Sequence, residues 1–127
     1  MITTIVVAAV IERDDTFLVT RRPAGTHLEG LWEFPGGKCE SGESYDACLA
    51  REIHEELGVE VASVGGEVLA TTYAYPDRRV ELHFLRCDLA AEPRPRLGQQ
   101  MRWVPRTELG TLPLPPADAE LVRLLTA

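Results

Sequence analysis

One helical stretch in the first half of the sequence constrains the fold more than any other feature. Its apolar residues Leu49, Ile53 and Leu57 are spaced four apart, which is the pattern of an amphipathic helix that buries one stripe. Ser44 is suited to cap the beginning of this helix, and Gly58 is suited to the left-handed conformation that commonly ends one. The sequence therefore predicts a helix from about Ser44 to Leu57 that packs on the core through this stripe.

The same helix carries three glutamates, Glu52, Glu55 and Glu56, on a face beside the apolar stripe. They lie in its C-terminal half, where the helix dipole disfavours negative charge by roughly 0.3–1 kcal/mol per residue. A solvated acidic face is the common explanation of such a cluster. The alternative is a hard divalent cation, Mg²⁺ or Mn²⁺, which binds oxygen ligands and offsets the repulsion between carboxylates. We favour the cation, because the solvated face leaves unexplained a preceding Gly36-Gly37 turn and a separate carboxylate before the helix.

Length and composition restrict the class of protein. The chain has 127 residues, a hydrophobic content of 45% and a net charge of −7 at pH 7, which predict one domain over residues 1–127. The negative charge argues against a nucleic-acid polymer or an anionic membrane as the partner. The three cysteines lack zinc-ligand spacing, so we expect reduced thiols in a cytoplasmic protein. The apolar N-terminal run is too short to span a bilayer. The sequence is compatible with a monomer and with a homodimer.

The remainder of the chain has the pattern of short strands followed by one further helix. Pro115-Pro116 is suited to begin that helix, and Leu121, Leu124 and Leu125 are expected to dock it on the core. The predicted strands are Thr4–Glu12, Thr16–Arg21, Leu31–Phe34, Val59–Val64, Glu67–Tyr75, Arg79–Leu89 and Met101–Val104. A turn at residues 13–15 separates the first two, and Gly65-Gly66 interrupts the chain between Val64 and Glu67. Many strands with two helices predict the α+β class.

The residues around the acidic helix also carry a family resemblance. Their identities and spacings resemble the Nudix hydrolase signature at every position; they are Gly37, Glu43, Arg51, Glu52, Ile53, Glu55, Glu56, Gly58 and Val59. Further segments resemble the MutT-like branch of that family: Arg21-Arg22, Trp32 to Lys38, Tyr75 to Arg78, and Pro115 to Asp118. The resemblance implies the Nudix fold, an α/β/α sandwich in which a mixed central sheet lies between the signature helix and the C-terminal helix.

The resemblance also implies roles for individual residues. The implied metal ligands, for Mg²⁺ or Mn²⁺, are the side chains of Glu52, Glu55 and Glu56 and the backbone carbonyl of Gly36. Arg51 is implied to orient the glutamates in catalysis, and Glu43 either assists it or binds the metal through water. The implied substrate-binding residues are Arg22, His27, Glu33, Phe34, Lys38, Arg78 and Asp118.

These roles imply hydrolysis of a small-molecule nucleoside triphosphate to a monophosphate and pyrophosphate. Mg²⁺ held by the glutamates would neutralise the phosphates and activate water, and Lys38 and Arg22 would add positive charge. One residue departs from the family pattern. Some relatives have a glutamate in the loop before the last strand, whereas no carboxylate lies between Glu92 and Glu108 here. We therefore expect Glu52 to act as the general base.

The base of the substrate depends on Asp118, which stands where similar enzymes have asparagine. An ionised aspartate only accepts hydrogen bonds, whereas a protonated one also donates. 8-Oxo-dGTP is the favoured substrate, in nucleotide-pool sanitation, and CTP or dCTP is the alternative. The alternative from another class is a nucleotide-binding module without catalysis, which the complete set of signature glutamates opposes. For Asp118 itself, the simpler explanation is that it only compensates the dipole of the last helix.

Overall fold

The computed structural model of the protein describes residues 2–26 and 29–127. Its strands are β1 (Ile2–Val10), β2 (Glu12–Arg13), β3 (Thr16–Arg21), β4 (Trp32–Glu33), β5 (Gly36–Lys38), β6 (Val61–Ala74), β7 (Arg78–Leu89) and β8 (Gln100–Pro105). Its helices are α1 (Tyr45–Leu57) and α2 (Ala119–Thr126), with 3₁₀ segments at Arg106–Thr111 and Pro116–Asp118. This combination of mixed strand pairing with few helices confirms the α+β class.

The strands form two four-stranded sheets where a single central sheet was expected. In the first sheet the order is β5-β1-β7-β6, and β1 runs parallel to β7 while the other pairs are antiparallel. In the second sheet β3 is the shared partner: it pairs with β2, with β4 and, along its whole length, with β8. The first sheet is therefore mixed, and the second is antiparallel.

Strand β1 has a helix packed on each of its faces, because alternate residues of a strand point to opposite sides. Val7 and Ala9 belong to the core cluster that contains the apolar stripe of α1. Ala8 and Val10 belong to a second cluster, which contains Leu121 of α2. The two helices thus enclose the strands from opposite sides, as in the sandwich that the resemblance implied.

Helix α1 begins and ends where the sequence predicted. The Ser44 hydroxyl accepts a hydrogen bond from the Ala47 N–H at 3.1 Å. Gly58 has a φ of 66° and donates its N–H to the His54 carbonyl at 3.0 Å. All three residues of the predicted apolar stripe are fully buried. The stripe fixes the rotation of the helix, so its acidic face has a defined position beside the sheet.

The first hairpin is tighter than predicted. Strand β1 ends at Val10 instead of Glu12, and Glu12 and Arg13 form the separate strand β2. The turn is confined to Asp14 and Asp15, which have φ values of 51° and 61°. Positive φ at both central residues is characteristic of the type I′ turn, whose twist matches that of a hairpin, and aspartate adopts it more readily than most residues.

Gly36 and Gly37 lie in strand β5, and the prediction that they form a turn was wrong. They pair with Ala8 and Val7 of β1. The reason for glycine is space, since a Cβ atom on Gly36 would stand 2.0 Å from the carbonyl oxygen of Val7. Glycine here permits two backbones to approach closely, and neither residue needs a turn conformation.

Two segments nearer the C-terminus also differ from the prediction. Strand β6 continues through Gly65-Gly66, where its register with β7 shifts. Leu124 is 45% exposed, while Leu121 and Leu125 are buried. Because α2 has only eight residues, it contacts the core along one narrow face, and Leu124 lies outside that face.

Candidate active site

A cleft of about 420 Å³ brings together most of the residues that the sequence singled out. Strands β1, β5 and β7, helix α1 and the segment leading into α2 all contribute to its lining. The predicted residues that line it are Arg22, Glu33, Phe34, Gly36, Lys38, Glu52, Glu55, Glu56 and Asp118. Residues from both ends of the chain, such as Arg22 and Asp118, thus meet at one site.

Part of the cleft lining is apolar. Phe34 packs edge-on against Phe84 of β7, with ring centroids 6.1 Å apart and an interplanar angle of 81°. Val80 and Leu82 extend the same surface along β7. These apolar residues are spaced two apart, as in a strand with one buried face, but that spacing does not indicate that the face borders a cleft. A planar base is the kind of group that such a surface can bury.

Arg51 connects the acidic face of α1 to the residues that precede the helix. Its Nε and Nη2 donate to the two carboxylate oxygens of Glu43 at 2.7 and 2.9 Å, and its Nη1 donates to Glu52 Oε1 at 2.9 Å. Its Nη2 also donates to the Lys38 carbonyl at 3.0 Å. The Arg51 bonds, assisted by the Glu40 N–H, lower the pKa of Glu43 to about 2. Both carboxylate oxygens of Glu43 thus bind Arg51, and Arg51 in turn orients Glu52.

Gly37 provides the space that the Glu52 carboxylate occupies. A Cβ atom on Gly37 would stand 2.3 Å from Cδ of Glu52 and 2.4 Å from its Oε2. The Glu52 side chain is only 16% exposed, and burial raises its pKa despite the hydrogen bond from Arg51. The carboxylate is therefore confined between β5 and α1.

Glu56 has the least favourable environment of the three glutamates. Its Oε2 atom is buried and has no hydrogen-bond partner in the described part of the chain. Burial, followed by the charges of Glu52 and Glu33, raises its pKa to about 8. A buried carboxylate oxygen without a partner, beside other carboxylates, is costly unless a cation binds them together.

The donor set fits a hard divalent cation. Glu52, Glu55 and Glu56 present carboxylate oxygens, and the backbone of Gly36 lies in the same lining. Within residues 2–26 and 29–127, no three acidic, histidine or cysteine side chains come together as a group that could hold a metal ion without other ligands. Mg²⁺ does not need such a group, because it usually keeps several waters and is held by one or two carboxylates together with substrate phosphates.

Two cationic side chains border the acidic residues. Arg22 donates from Nη1 to Glu33 Oε2 at 2.9 Å, and both side chains are about 30% exposed. Lys38 is exposed at the end of β5 and lines the cleft. The site therefore contains positive charge as well as the carboxylates of α1, as binding of a polyphosphate requires.

Asp118 is buried in the lining, with 6% of its surface exposed. It occupies the position before α2, yet its side chain makes no capping hydrogen bond to that helix. Burial, followed by the charge of Glu33, raises its pKa to about 7. A residue that served only the helix would cap it or face water, so this environment favours a role in the cleft.

Two predicted substrate-binding residues remain, Arg78 and His27. Arg78 is not among the described residues that line the cleft; its guanidinium lies 5.8 Å from the ring centroid of Tyr75, which does line it. His27 lies outside the described residues, so its role stays a prediction. Tyr75 and Leu97 are lining residues for which no role was predicted. Tyr75 begins a segment already singled out, whereas Leu97 lies in the loop that was singled out only for its missing carboxylate.

Comparison with known proteins identifies the family. The NUDIX domain family model matches residues 6–124. The CTP pyrophosphohydrolase of Escherichia coli is 40% identical over 123 residues, which cover 96% of this chain and 90% of that protein. The 8-oxo-dGTP diphosphatase of Escherichia coli is 32% identical over 123 residues, covering 95% of this chain and 94% of that protein. The solution structure of the E. coli ORF135 protein has a TM-score of 0.85 at 39% identity, covering 100% of this chain and 89% of that one.

The chain belongs to the Nudix hydrolase family and is an enzyme. The family match includes the acidic helix, strand β5 and most of α2, so it covers the elements that build the cleft. No helix in the described part of the chain is long and apolar enough to cross a membrane.

Proposed function

We propose that the protein is a Mg²⁺-dependent pyrophosphohydrolase that converts a nucleoside triphosphate to a nucleoside monophosphate and pyrophosphate. The observation that carries this proposal is the combination, in one cleft, of an acidic helix face, an apolar surface and the buried carboxyl group of Asp118. The acidic face suits a metal–phosphate group, and the other two features suit a base. A volume of about 420 Å³ is within the usual range for pockets that bind small molecules.

The residues of α1 and β5 would hold the metal. Glu52, Glu55 and Glu56 supply carboxylate oxygens, and the carbonyl of Gly36 is a further oxygen donor. Bound Mg²⁺ would neutralise phosphate charge, polarise the phosphoryl group and lower the pKa of water. Arg51 keeps Glu52 in a fixed orientation. The unpartnered Oε2 of Glu56 is the observation that best supports a cation at this place.

Glu52 is the residue that we assign as general base. Arg51 occupies its Oε1, which leaves Oε2 to accept a proton from the attacking water. Lys38 and Arg22 would bind phosphate oxygens and stabilise the negative charge that develops on them in the transition state. The loop that lacks a carboxylate supplies no competing base, so Glu52 carries this step.

The environment of Asp118 is the basis for proposing 8-oxo-dGTP as the substrate. A carboxyl group with a raised pKa is protonated for part of the time near neutral pH, and it then donates and accepts at once. Oxidation at C8 gives the guanine base an N7–H beside the O6 acceptor, whereas unmodified guanine has two acceptors on that edge. A protonated Asp118 matches the oxidised edge. The 8-oxo-dGTP diphosphatase among the relatives supports this assignment.

A CTP or dCTP pyrophosphohydrolase is the second candidate. It is favoured by the relative named CTP pyrophosphohydrolase, which is 40% identical over 96% of the chain. Cytosine offers an amino group, from which Asp118 accepts a hydrogen bond in either protonation state. The two candidates therefore share the chemistry at phosphorus and differ only in the base.

The identity of the products tests the proposed reaction. The purified protein is mixed with a nucleoside triphosphate and Mg²⁺, and the products are identified by phosphorus NMR. Monophosphate and pyrophosphate should appear in equal amounts. The reaction should stop in EDTA and resume when Mg²⁺ or Mn²⁺ is restored. Release of nucleoside diphosphate and inorganic phosphate would contradict the proposed bond cleavage, and full turnover in EDTA would contradict the metal requirement.

Two glycine substitutions separate the site from the fold. In Gly37→Ala the new Cβ meets a side chain, the carboxylate of Glu52, and displaces it from Arg51, so we expect a moderate fall in melting temperature and a loss of turnover of about 10–100-fold. In Gly36→Ala the new Cβ meets the backbone of β1, 2.0 Å from the Val7 oxygen, so we expect a clearly lower melting temperature. Thermal melting and turnover of both variants provide the comparison. Full activity of the Gly37 variant would show that the position of Glu52 is not critical.

A further inference from the structure

The loop between β7 and β8 packs against the C-terminal end of α1. The Arg94 N–H donates to the Leu57 carbonyl at 3.0 Å, and the Arg96 N–H donates to the Glu56 carbonyl at 2.9 Å. These carbonyls belong to the last turn of α1, which has no partners of its own for them. The contact is close, because a Cβ atom on Gly58 would stand 2.8 Å from Nη1 of Arg96. The loop is therefore fixed to the helix that carries the acidic face.

Gln99 adds a side-chain bridge between the helix and this loop. Only 9% of Gln99 is exposed. Its Nε2 donates to the Glu56 carbonyl at 2.9 Å, and its Oε1 accepts the Leu97 N–H at 2.8 Å. One buried amide thus satisfies a helix-terminal carbonyl and holds the backbone of Leu97 at the same time.

Leu97 is exposed although its backbone is held. Its exposed fraction is 63%, and among the four large apolar side chains with high exposure in the described residues, it is the one that lines the cleft. An apolar side chain held at the edge of a binding cleft gains by covering a ligand, because its surface leaves water only when the ligand is present. Other residues that line the same cleft, such as Pro115 and Ala117, are also apolar.

We propose that Leu97 contacts the base or sugar of the bound nucleotide, and that Gln99 is a positioning residue that places Leu97 relative to Glu56. This inference rests on the proposed function. An apolar side chain cannot bind the phosphates, so its contact must be with the nucleoside part of the substrate. The loop that supplies no carboxylate for catalysis then contributes to substrate binding instead.

The test measures affinity without turnover. Binding of 8-oxo-dGMP and of CMP to the intact protein is measured by calorimetry in the absence of metal. Leu97→Ala should weaken the tighter of the two by about five- to twentyfold, as expected for loss of an apolar contact with a ligand. Leu124→Ala is the matched control, since Leu124 is also an exposed leucine but lies on α2, away from the cleft lining. It should leave the affinity within twofold of the wild type.

The role of Gln99 is tested by non-additivity. Gln99→Ala should weaken monophosphate binding in the wild-type background but have no further effect when Leu97 is already alanine, because Gln99 acts on the ligand through Leu97. Gln100→Ala, which changes the exposed neighbour, is the control. In turnover assays, Leu97→Ala should raise KM with kcat nearly unchanged, whereas Gln99→Ala should also lower kcat because it loosens the last turn that carries Glu56.

The outcomes separate this inference from the proposed function. If the wild type hydrolyses a nucleoside triphosphate while Leu97→Ala and Leu124→Ala bind monophosphate equally well, the inference on Leu97 is overturned and the proposed function stands. If the effects of Leu97→Ala and Gln99→Ala simply add, the positioning role of Gln99 is overturned. If the wild type hydrolyses no nucleotide, the proposed function fails. Melting curves establish that each variant is folded. If Gln99→Ala does not fold, Leu97→Ala still tests the contact with the nucleotide, because it removes only exposed side-chain surface.

Discussion

Glu56→Gln is expected to abolish turnover and, at the same time, to make the metal-free protein more stable. Turnover should fall on the order of 10²–10³-fold or more, because one of the proposed metal ligands is lost. Stability should rise because the substitution removes a buried carboxylate that lies near the charges of Glu52 and Glu33 and whose Oε2 finds no partner among residues 2–26 and 29–127. Melting in EDTA should shift upward by about a few degrees.

Glu55→Gln is the matched comparison on the same helix face. The Glu55 side chain is 54% exposed, so its replacement should leave the melting temperature in EDTA unchanged. Turnover with Mg²⁺ should nevertheless be lost. Electron paramagnetic resonance should show weaker binding of Mn²⁺ in both variants. Retained Mn²⁺ affinity and turnover in either variant would contradict its assignment as a metal ligand.

Asp118→Asn is expected to remove a pH dependence of base selection. Below about pH 7 the wild-type carboxyl holds a proton and matches the donor–acceptor edge of 8-oxoguanine; above it, the group is ionised and only accepts. Cytosine donates its amino hydrogen to Asp118 in either protonation state, so the ratio of kcat/KM for 8-oxo-dGTP to that for dCTP should fall on the order of tenfold as pH rises from 6 to 8. Asparagine donates and accepts at every pH, so its ratio should stay constant.

The surroundings of Asp118 define the control for this experiment. The charged group that acts on it is Glu33, which is itself paired with Arg22. Changes at phosphorus that come from the metal site affect both nucleotides equally and cancel in the ratio. A wild-type ratio that does not change with pH, or a variant whose ratio falls in parallel with the wild type, would return Asp118 to the simple role of a helix-start residue.

Features encoded over a few neighbouring residues could be predicted from the sequence. The cap at Ser44, the stop at Gly58 and the buried stripe of α1 all follow from local spacing. The same spacing put the acidic residues on one face. Asp118 was ambiguous, because a carboxylate at a helix start has a local explanation; only the lack of a capping bond and its burial favour the cleft.

Features that depend on contacts distant in sequence could not be predicted. Gly36 is glycine because of the Val7 carbonyl, a neighbour brought close by the pairing of β5 with β1. The 3₁₀ segment Arg106–Thr111 has no periodic pattern, and it is attached to the first hairpin by bonds from Arg106 to Asp15 and Glu12. Leu97 was missed for the same reason: an isolated leucine in a polar loop carries no local sign of a cleft.

The central claim, a nucleoside triphosphate pyrophosphohydrolase selective for an oxidised base, is tested most directly by kcat/KM with Mg²⁺ over 8-oxo-dGTP, dGTP, dCTP, CTP and ADP-ribose. Pyrophosphate release should be most efficient with 8-oxo-dGTP, and ADP-ribose should be a poor substrate. A clear preference for CTP or dCTP would keep the reaction and contradict the base assignment. Absence of turnover on all five compounds would contradict the account as a whole.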